Sequence, residues 1–226
     1  MKKNIRILLV DDHILILKGL IIIFDEIKEF TFDIVYKTDC DSAYEAIALA
    51  EKTTTPFDIL FTDLSYSLPK GTITSGEELI NQLKKIAPNL KIGVITGHSE
   101  TNRVFNVIEN QQPLAYILKD NCSAKELNFA IHQMLKNQNY YTHLIHQKIL
   151  KRSIVQISMD DIAIQILEEL PKHSKLSNLV GHIKKEDGKP LKIRSIETKL
   201  ANLRVDLNAK NNTDLILKAK DLGIID

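Results

Sequence analysis

Residues 5–20, IRILLVDDHILILKGL, decide how the chain is read. A mostly apolar run over residues 5–10 ends abruptly in two adjacent carboxylates, Asp11 and Asp12. His13 and a second apolar run follow at once. A short run rich in β-branched residues, stopped by charge and succeeded by a 3.6-residue period, reads as a strand leading into a helix. Adjacent like charges at the end of a buried strand repel each other and are costly to desolvate. The pair therefore calls for a partner.

The same alternation continues for about 130 residues. Short apolar runs at 5–10, 32–38, 58–62, 91–96 and 114–118 are separated by helical patterns near 13–28, 41–53, 75–87, 99–111 and 123–137. Five strands each followed by a helix imply a doubly wound α/β fold, a parallel sheet with right-handed crossovers and helices on both faces. In open sheets of this kind, functional groups sit beyond the carboxyl ends of the strands. Strand one ends at Asp11 and Asp12, strand three at Asp63, strand four at Thr96 with Gly97, and strand five at Lys119. Three carboxylates, a hydroxyl and an ammonium thus converge on one edge. Three carboxylates in one place need a hard cation with oxygen ligands, for which Mg²⁺ is the natural choice. A carboxylate that attacks a phosphoryl donor brings negative charge toward negative charge, and a cation with an ammonium offsets that repulsion. Asp11 and Asp12 are accordingly expected to hold a metal for chemistry at Asp63.

Composition narrows the classes. The chain has 226 residues, 44% hydrophobic and 26% charged, in the range of a globular protein of one or two domains. Charges break every apolar stretch well short of a membrane span, and the start of the chain lacks a signal-peptide layout. Cys40 and Cys122 form no CxxC pair and suit a reducing cytoplasm. Residues 1–150 carry 16 Lys and Arg against 18 Asp and Glu, net −2, while residues 151–226 carry 14 against 11, net +3. An acidic front and a mildly basic back fit a regulatory domain joined to a nucleic-acid module.

Four segments, LLVDDH, DILFTDLS, VITGHS and AYILKDNCSAKEL, resemble in register the signatures of a response-regulator receiver domain, of the NarL/FixJ family in particular. The resemblance implies a CheY-like (flavodoxin-like) five-stranded sheet over residues 1–138. It also implies roles. Asp63 is then the phosphoacceptor, Asp12 and Asp63 ligate Mg²⁺ with the Ser65 carbonyl, and Asp11 holds the metal through water. Thr96 becomes the switch hydroxyl, Tyr116 the switch aromatic, and Lys119 the partner of the phosphoryl group. A sensor histidine kinase or a small phosphodonor is the implied source of phosphoryl, and the protein is no enzyme beyond its own phosphoryl transfer and slow dephosphorylation. The loop LSYSLPKGTITSGEEL is longer than the family's short post-acceptor loop and resembles that of RcsB-like regulators, with Pro69 and Gly71 ahead of Gly76. Loops accept insertions cheaply, so a tolerated surface insertion is expected. His13 is expected to cap the first helix without chemistry of its own.

Residues 139–157 lose the period and read as a linker with a short helix. From 158 to 226 strand signals vanish, and helical patterns lie near 159–170, 175–186, 193–206 and 212–221, ending at Gly223. Four helices in so short a span suit a small all-α helix-turn-helix domain. The segment PLKIRSIETKLANLRVDLNAKNNTDLILKAKDLGII resembles the recognition helix, turn and fourth helix of LuxR-type domains, which implies promoter DNA as a partner. Ile196, Leu200, Leu203 and Leu207 form its core-facing stripe. Arg194, Glu197, Thr198, Lys199 and Ala201 lie off the stripe and are left to face a major groove. Glu197 is able to accept from cytosine N4 but repels phosphate. A homodimer on activation is expected, with a heterodimer as the variant. The alternative is an auxiliary receiver protein whose degenerate C-terminal domain binds protein instead of DNA. An aspartyl phosphohydrolase is a poor fit, because the chain has no DxDxT motif.

Overall fold

The computed structural model describes residues 2–67 and 71–225, and of residues 154–158 the backbone alone. It divides into two compact units, residues 1–99 with 106–145, and residues 100–105 with 146–226.

The first unit is built on a parallel sheet. Strand β1 (Lys3–Val10), helix α1 (Ile14–Glu26), β2 (Phe30–Lys37), α2 (Cys40–Ala50), β3 (Ile59–Thr62), α3 (Gly76–Ile86), β4 (Lys91–Thr96), β5 (Ala115–Leu118) and α5 (Ala124–Leu135) follow in order, while α4 (Thr101–Asn106), between β4 and β5 in sequence, is grouped with the second unit in all but its last residue. The strand order is β2-β1-β3-β4-β5-β6, where β6 is the two-residue strand Tyr140–Tyr141. This is the CheY-like doubly wound arrangement, with the short sixth strand added at the edge. Every residue of β3 and β5 is buried, as expected where helices cover both faces. Leu17, Leu20 and Phe24 of α1 pack with Ile5, Ile7 and Leu9 of β1 and with Leu127, Ile131 and Met134 of α5 in one core cluster. The caps match the local sequence. Asp39, Ser75 and Ser123 accept from the backbone N–H groups of Ser42, Glu78 and Glu126, each satisfying a donor that the helix leaves open.

Register then sets the site. Val10 pairs with Thr62 and Thr96 with Leu118, so Asp11 stands beside Asp63, and Lys119 follows one residue past the pair that Thr96 closes. The order reverses between β1 and β3, the crevice where such sheets place their ligands.

The helical unit holds the C-terminal part of α6 (His143–Ser158), α7 (Asp161–Glu169), α8 (Ile193–Asp206) and α9 (Asn212–Asp221). The stretch 139–157, read from sequence as linker, therefore carries β6 and nearly all of α6. The expected stripe is confirmed: Ile196, Leu200, Leu203 and Leu207 are all buried. The helix expected near 175–186 is not formed. A 3-10 turn over Leu176–Leu179 is followed by Gly181 at φ +101° and an antiparallel bridge between Lys184 and Pro190. The physical reason lies in Gln165 of α7. Its amide donates to the Lys184 carbonyl at 3.1 Å and accepts from the Lys184 N–H at 2.9 Å. Leu179 and Ile183 remain fully buried, so the apolar spacing is satisfied without helical backbone.

Candidate functional site

Lys119 is the centre of the site. Its Nζ lies 2.6 Å from Asp63 Oδ2 and 2.6 Å from Asp11 Oδ2, and both carboxylates are almost completely buried. The remaining oxygens are turned onto backbone. Asp63 Oδ1 accepts from the Leu64 N–H at 2.6 Å, and Asp11 Oδ1 from the His13 N–H at 2.8 Å. Burial pulls the Lys119 ammonium down, but its bonds to Asp11 and Asp63 outweigh that and hold its pKa above the ordinary value. It stays charged.

Asp12 adds a third carboxylate. Its Oδ2 accepts from the Ser67 N–H at 2.7 Å, while its buried Oδ1 makes no hydrogen bond. His13 Nδ1 comes within 2.8 Å of that oxygen, an electrostatic approach without hydrogen-bond geometry. Burial raises the Asp12 carboxyl, yet the Ser67 bonds and the His13 neighbour bring it below the usual carboxylate range. Three carboxylates against one ammonium leave the pocket two charges short. Carboxylates rich in oxygen donors, one of them with a buried oxygen that makes no hydrogen bond, fit a hard divalent cation such as Mg²⁺, with the His13 imidazole standing beside the Asp11 and Asp12 pair.

Thr96 and Tyr116 converge on one peptide. Thr96 Oγ1 accepts from the His98 N–H at 3.3 Å, and the Tyr116 hydroxyl donates to the His98 carbonyl at 2.8 Å. Both residues are completely buried. The hydroxyl and the aromatic expected to act together thus hold the loop after β4 from its two backbone groups.

The long loop after Asp63 is more than a surface insertion. Tyr66 places its hydroxyl 2.9 Å from Thr62 Oγ1, and Ser67 caps Asp12. At the far side Asp41 accepts from the Thr72 N–H and hydroxyl at 2.8 and 2.7 Å. Gly71 has φ +99°, and a side chain there would run into Asp41. Gly76 opens α3 so close to the acceptor that a Cβ would collide with the Asp63 carbonyl. Ser65 is half-buried within this loop. Pro69 lies outside the described residues.

Sequence reasoning missed three contributors, Ser67, Tyr66 and the His13 side chain. His13 makes no side-chain cap; its ring turns to the carboxylates instead. Ser67 and Tyr66 reach the pocket through a loop return that no periodicity signals. Burial pushes the thiols of Cys40 and Cys122 up to about 12, which disfavours the reactive thiolate form.

In the helical unit, Arg194, Glu197, Thr198 and Ala201 are exposed on one side of α8. Lys199 departs from expectation. It is half-buried, and its Nζ lies 2.6 Å from Asp160 Oδ2, the N-cap residue of α7. The Thr198 hydroxyl donates back to the Arg194 carbonyl at 2.9 Å.

A family model described as the response regulator receiver domain matches residues 7–132. The chain belongs to the response-regulator receiver family. Comparison with curated proteins finds none that matches. Among solved structures, RcsB of Salmonella typhimurium is similar at 18% identity and TM-score 0.62, covering 95% of this chain and 97% of that one. RcsB of Salmonella enterica serovar Typhimurium bound to promoter rprA with a phosphomimetic is similar at 18% identity and TM-score 0.54, covering 98% of this chain and all of that one. A LuxR-family two-component regulator from an Aurantimonas species shows 23% identity and TM-score 0.55 over 67% of this chain and 99% of that one. The receiver fold and the presence of a further helical unit agree with this group. Among the described residues of this receiver protein, no helix is long and apolar enough to cross a membrane.

Proposed function

We propose that the chain is a cytoplasmic two-component response regulator of the NarL/FixJ type, in which phosphorylation of Asp63 controls dimerisation and promoter binding by the helical unit. Residues 1–138 act as the receiver and 158–226 as a divergent LuxR-type helix-turn-helix. The single observation that carries this reading is the Lys119 ammonium shared between Asp63 and Asp11 at 2.6 Å each. A cation already seated on the acceptor carboxylate is placed to follow the charge that the acceptor gains.

Asp11, Asp12, Asp63 and the Ser65 carbonyl would hold Mg²⁺, which when bound neutralises the oxygens of the incoming phosphoryl group. An Asp63 carboxylate oxygen attacks phosphorus. The P–N bond of a kinase phosphohistidine, or the P–O bond of a small phosphodonor, breaks and its electron pair leaves with the donor. The product is an acyl phosphate, and Lys119 transfers its ion pair from the carboxylate to a phosphoryl oxygen. Thr96 then rotates its hydroxyl to donate to that group and gives up the His98 N–H. Tyr116 grips the same peptide, so the change passes to the loop after β4. Beyond this self-modification and its slow reversal the protein has no enzymatic role in the reading.

RcsB supports the DNA half of the proposal, since it is seen on promoter DNA and, in another structure, as dimers on DNA. Arg194, Glu197, Thr198 and Ala201 are the groove-facing candidates. A second reading has its own observation. Lys199 is committed to Asp160, which removes a cation from the presumed DNA face and favours a C-terminal unit that binds protein, for instance in a heterodimer. Acetyl phosphate with Mg²⁺, followed by mass spectrometry and light scattering, tests the first half; labelling confined to Asp63 with a rise in mass is expected. Salt-titrated binding to promoter and random DNA tests the second, because DNA binding requires a steep loss of affinity with salt.

A further inference from the structure

A second cluster of metal-ligating groups lies in the helical unit, remote in sequence from the acidic pocket and different in chemistry. Glu169 ends α7, and His173 follows four residues later. His182 arrives after the 3-10 turn Leu176–Leu179. Glu169 Oε2 lies 3.2 Å from His173 Nε2 and 3.9 Å from His182 Nδ1. The three donor atoms all fall within 4.8 Å of one another. The imidazole centroids are 4.7 Å apart.

The carboxylate of Glu169 is held from behind. Lys172 Nζ takes the other carboxylate oxygen, Oε1, at 2.8 Å, so Oε2 is the one left facing both rings. Such an outer partner fixes a ligand's orientation. Buried Leu170, Leu179 and Ile183 anchor the segments that carry the two histidines. The side chains of Glu169 and His173 are 23% and 18% exposed and that of His182 is 55% exposed. The cluster is therefore backed by core and open on one side, which gives an ion a way in.

Donors around a tetrahedral ion with bonds of about 2.0–2.1 Å sit roughly 3.3 Å apart. Glu169 and His173 already stand at that separation, and the exposed His182 ring, 3.9 Å from Glu169 and within 4.8 Å of His173, has to close the other two edges. Two imidazole nitrogens with one carboxylate oxygen suit zinc, copper and nickel, whereas magnesium and calcium take oxygen sets. We propose that Glu169, His173 and His182 bind one divalent ion of the Zn²⁺ class with water completing the shell, fastening the end of α7 to the turn that leads into the Lys184–Pro190 hairpin and α8. The chain then carries two metal centres of opposite preference, one for a hard ion and one for a borderline ion.

The test uses tag-free, full-length protein kept in excess Mg²⁺ so that the acidic pocket is occupied. Zn²⁺ is titrated in competition with a chromophoric chelator, and histidine side-chain nitrogens are followed by NMR. One retained equivalent is expected, with the His173 and His182 imidazoles shifting on loading. His182→Gln and His173→Gln should each weaken that equivalent by more than about tenfold, since even outer-shell partners act on that scale. Thermal unfolding of the helical unit should rise with Zn²⁺ in the wild type and not in His182→Gln, whose exposed position leaves the fold intact. No retained equivalent over Mg²⁺ would overturn the proposal, because a hydrogen-bonded triad binds no ion. Retention at wild-type strength in His182→Gln, or imidazole shifts confined to other histidines, would overturn it equally.

Discussion

The two units obey the same burial rule and keep it by different means. In the α/β unit each apolar run is a strand, and Asp11, Asp63, Thr96 and Lys119 stand at the carboxyl ends of β1, β3, β4 and β5. In the helical unit the apolar positions are equally well buried, but between α7 and α8 the backbone is a 3-10 turn and a bridge where a helix was expected. The difference teaches that spacing fixes which side chains go inside, while hydrogen-bond competitors decide the backbone that takes them there. Parallel strands have no such competitor at their centre, because each neighbour uses all their donors and acceptors. A segment beside Gln165 does.

The largest break between the units is chemical. Asp63→Asn, or removal of Mg²⁺ by a chelator, should abolish acyl phosphate formation entirely, measured by mass spectrometry after acetyl phosphate treatment. The helical unit should keep its NMR dispersion throughout. Phosphorylation that continues in chelator would remove the metal from the account of the first unit.

Leu200→Ala should act on the other side. Leu200 is almost completely buried on the α8 stripe, and a truncation of that kind costs about 2–5 kcal/mol. Denaturant unfolding should show the loss in the helical unit, with the phosphorylation rate of Asp63 unchanged. A slowed rate would show that the units do not fold independently.

Gln165→Ala sharpens the lesson about the backbone. It leaves the Lys184 N–H and carbonyl without their partner, at a cost near 1 kcal/mol because water reaches the site. Amide exchange at Lys184 should quicken while Leu179 stays protected. Unaltered exchange would mean that Gln165 does not hold the turn.

The smallest effect concerns Asp160 and Lys199. The Lys199 hydrogen bond holds the Asp160 carboxyl below its ordinary value of 3.8. A depressed carboxylate contributes stability that is present above that value and is lost as pH falls through the folded-state one. Both partners are partly exposed, so the contribution is below about 1 kcal/mol. Lys199→Ala should flatten this acid limb in pH-dependent melting and leave the salt slope of any DNA binding unchanged. A slope reduced by about one unit would instead assign Lys199 to a phosphate.

Legibility followed the same divide. Asp11, Asp12, Asp63, Thr96 and Lys119 could be placed together from sequence because continuous apolar strands alternating with helices run parallel and bring their carboxyl ends to one edge. Lys119 bridging two carboxylates, and Tyr116 meeting Thr96 at His98, needed only the register of neighbouring strands to appear. Ser67 on Asp12 needed the path of a loop, which leaves no period in the sequence. Lys199 shows the same limit: its position off the α8 stripe was legible, but its ion pair with Asp160, which caps another helix, was not. The Glu169, His173 and His182 cluster was invisible while 175–186 read as continuous helix, which would have carried His182 elsewhere.

The loop after Asp63 has an implication for divergence among relatives. Its entrance is fixed by Tyr66 and Ser67 at the pocket, and its exit by Thr72 on Asp41 and by Gly76 wedged on the Asp63 carbonyl. Divergence in this loop is therefore filtered at its moorings: a side chain at Gly71 meets Asp41 and one at Gly76 meets the Asp63 carbonyl, so each change is felt where the acceptor is held. Those two glycines are the positions that a drifting lineage or an engineer would leave untouched.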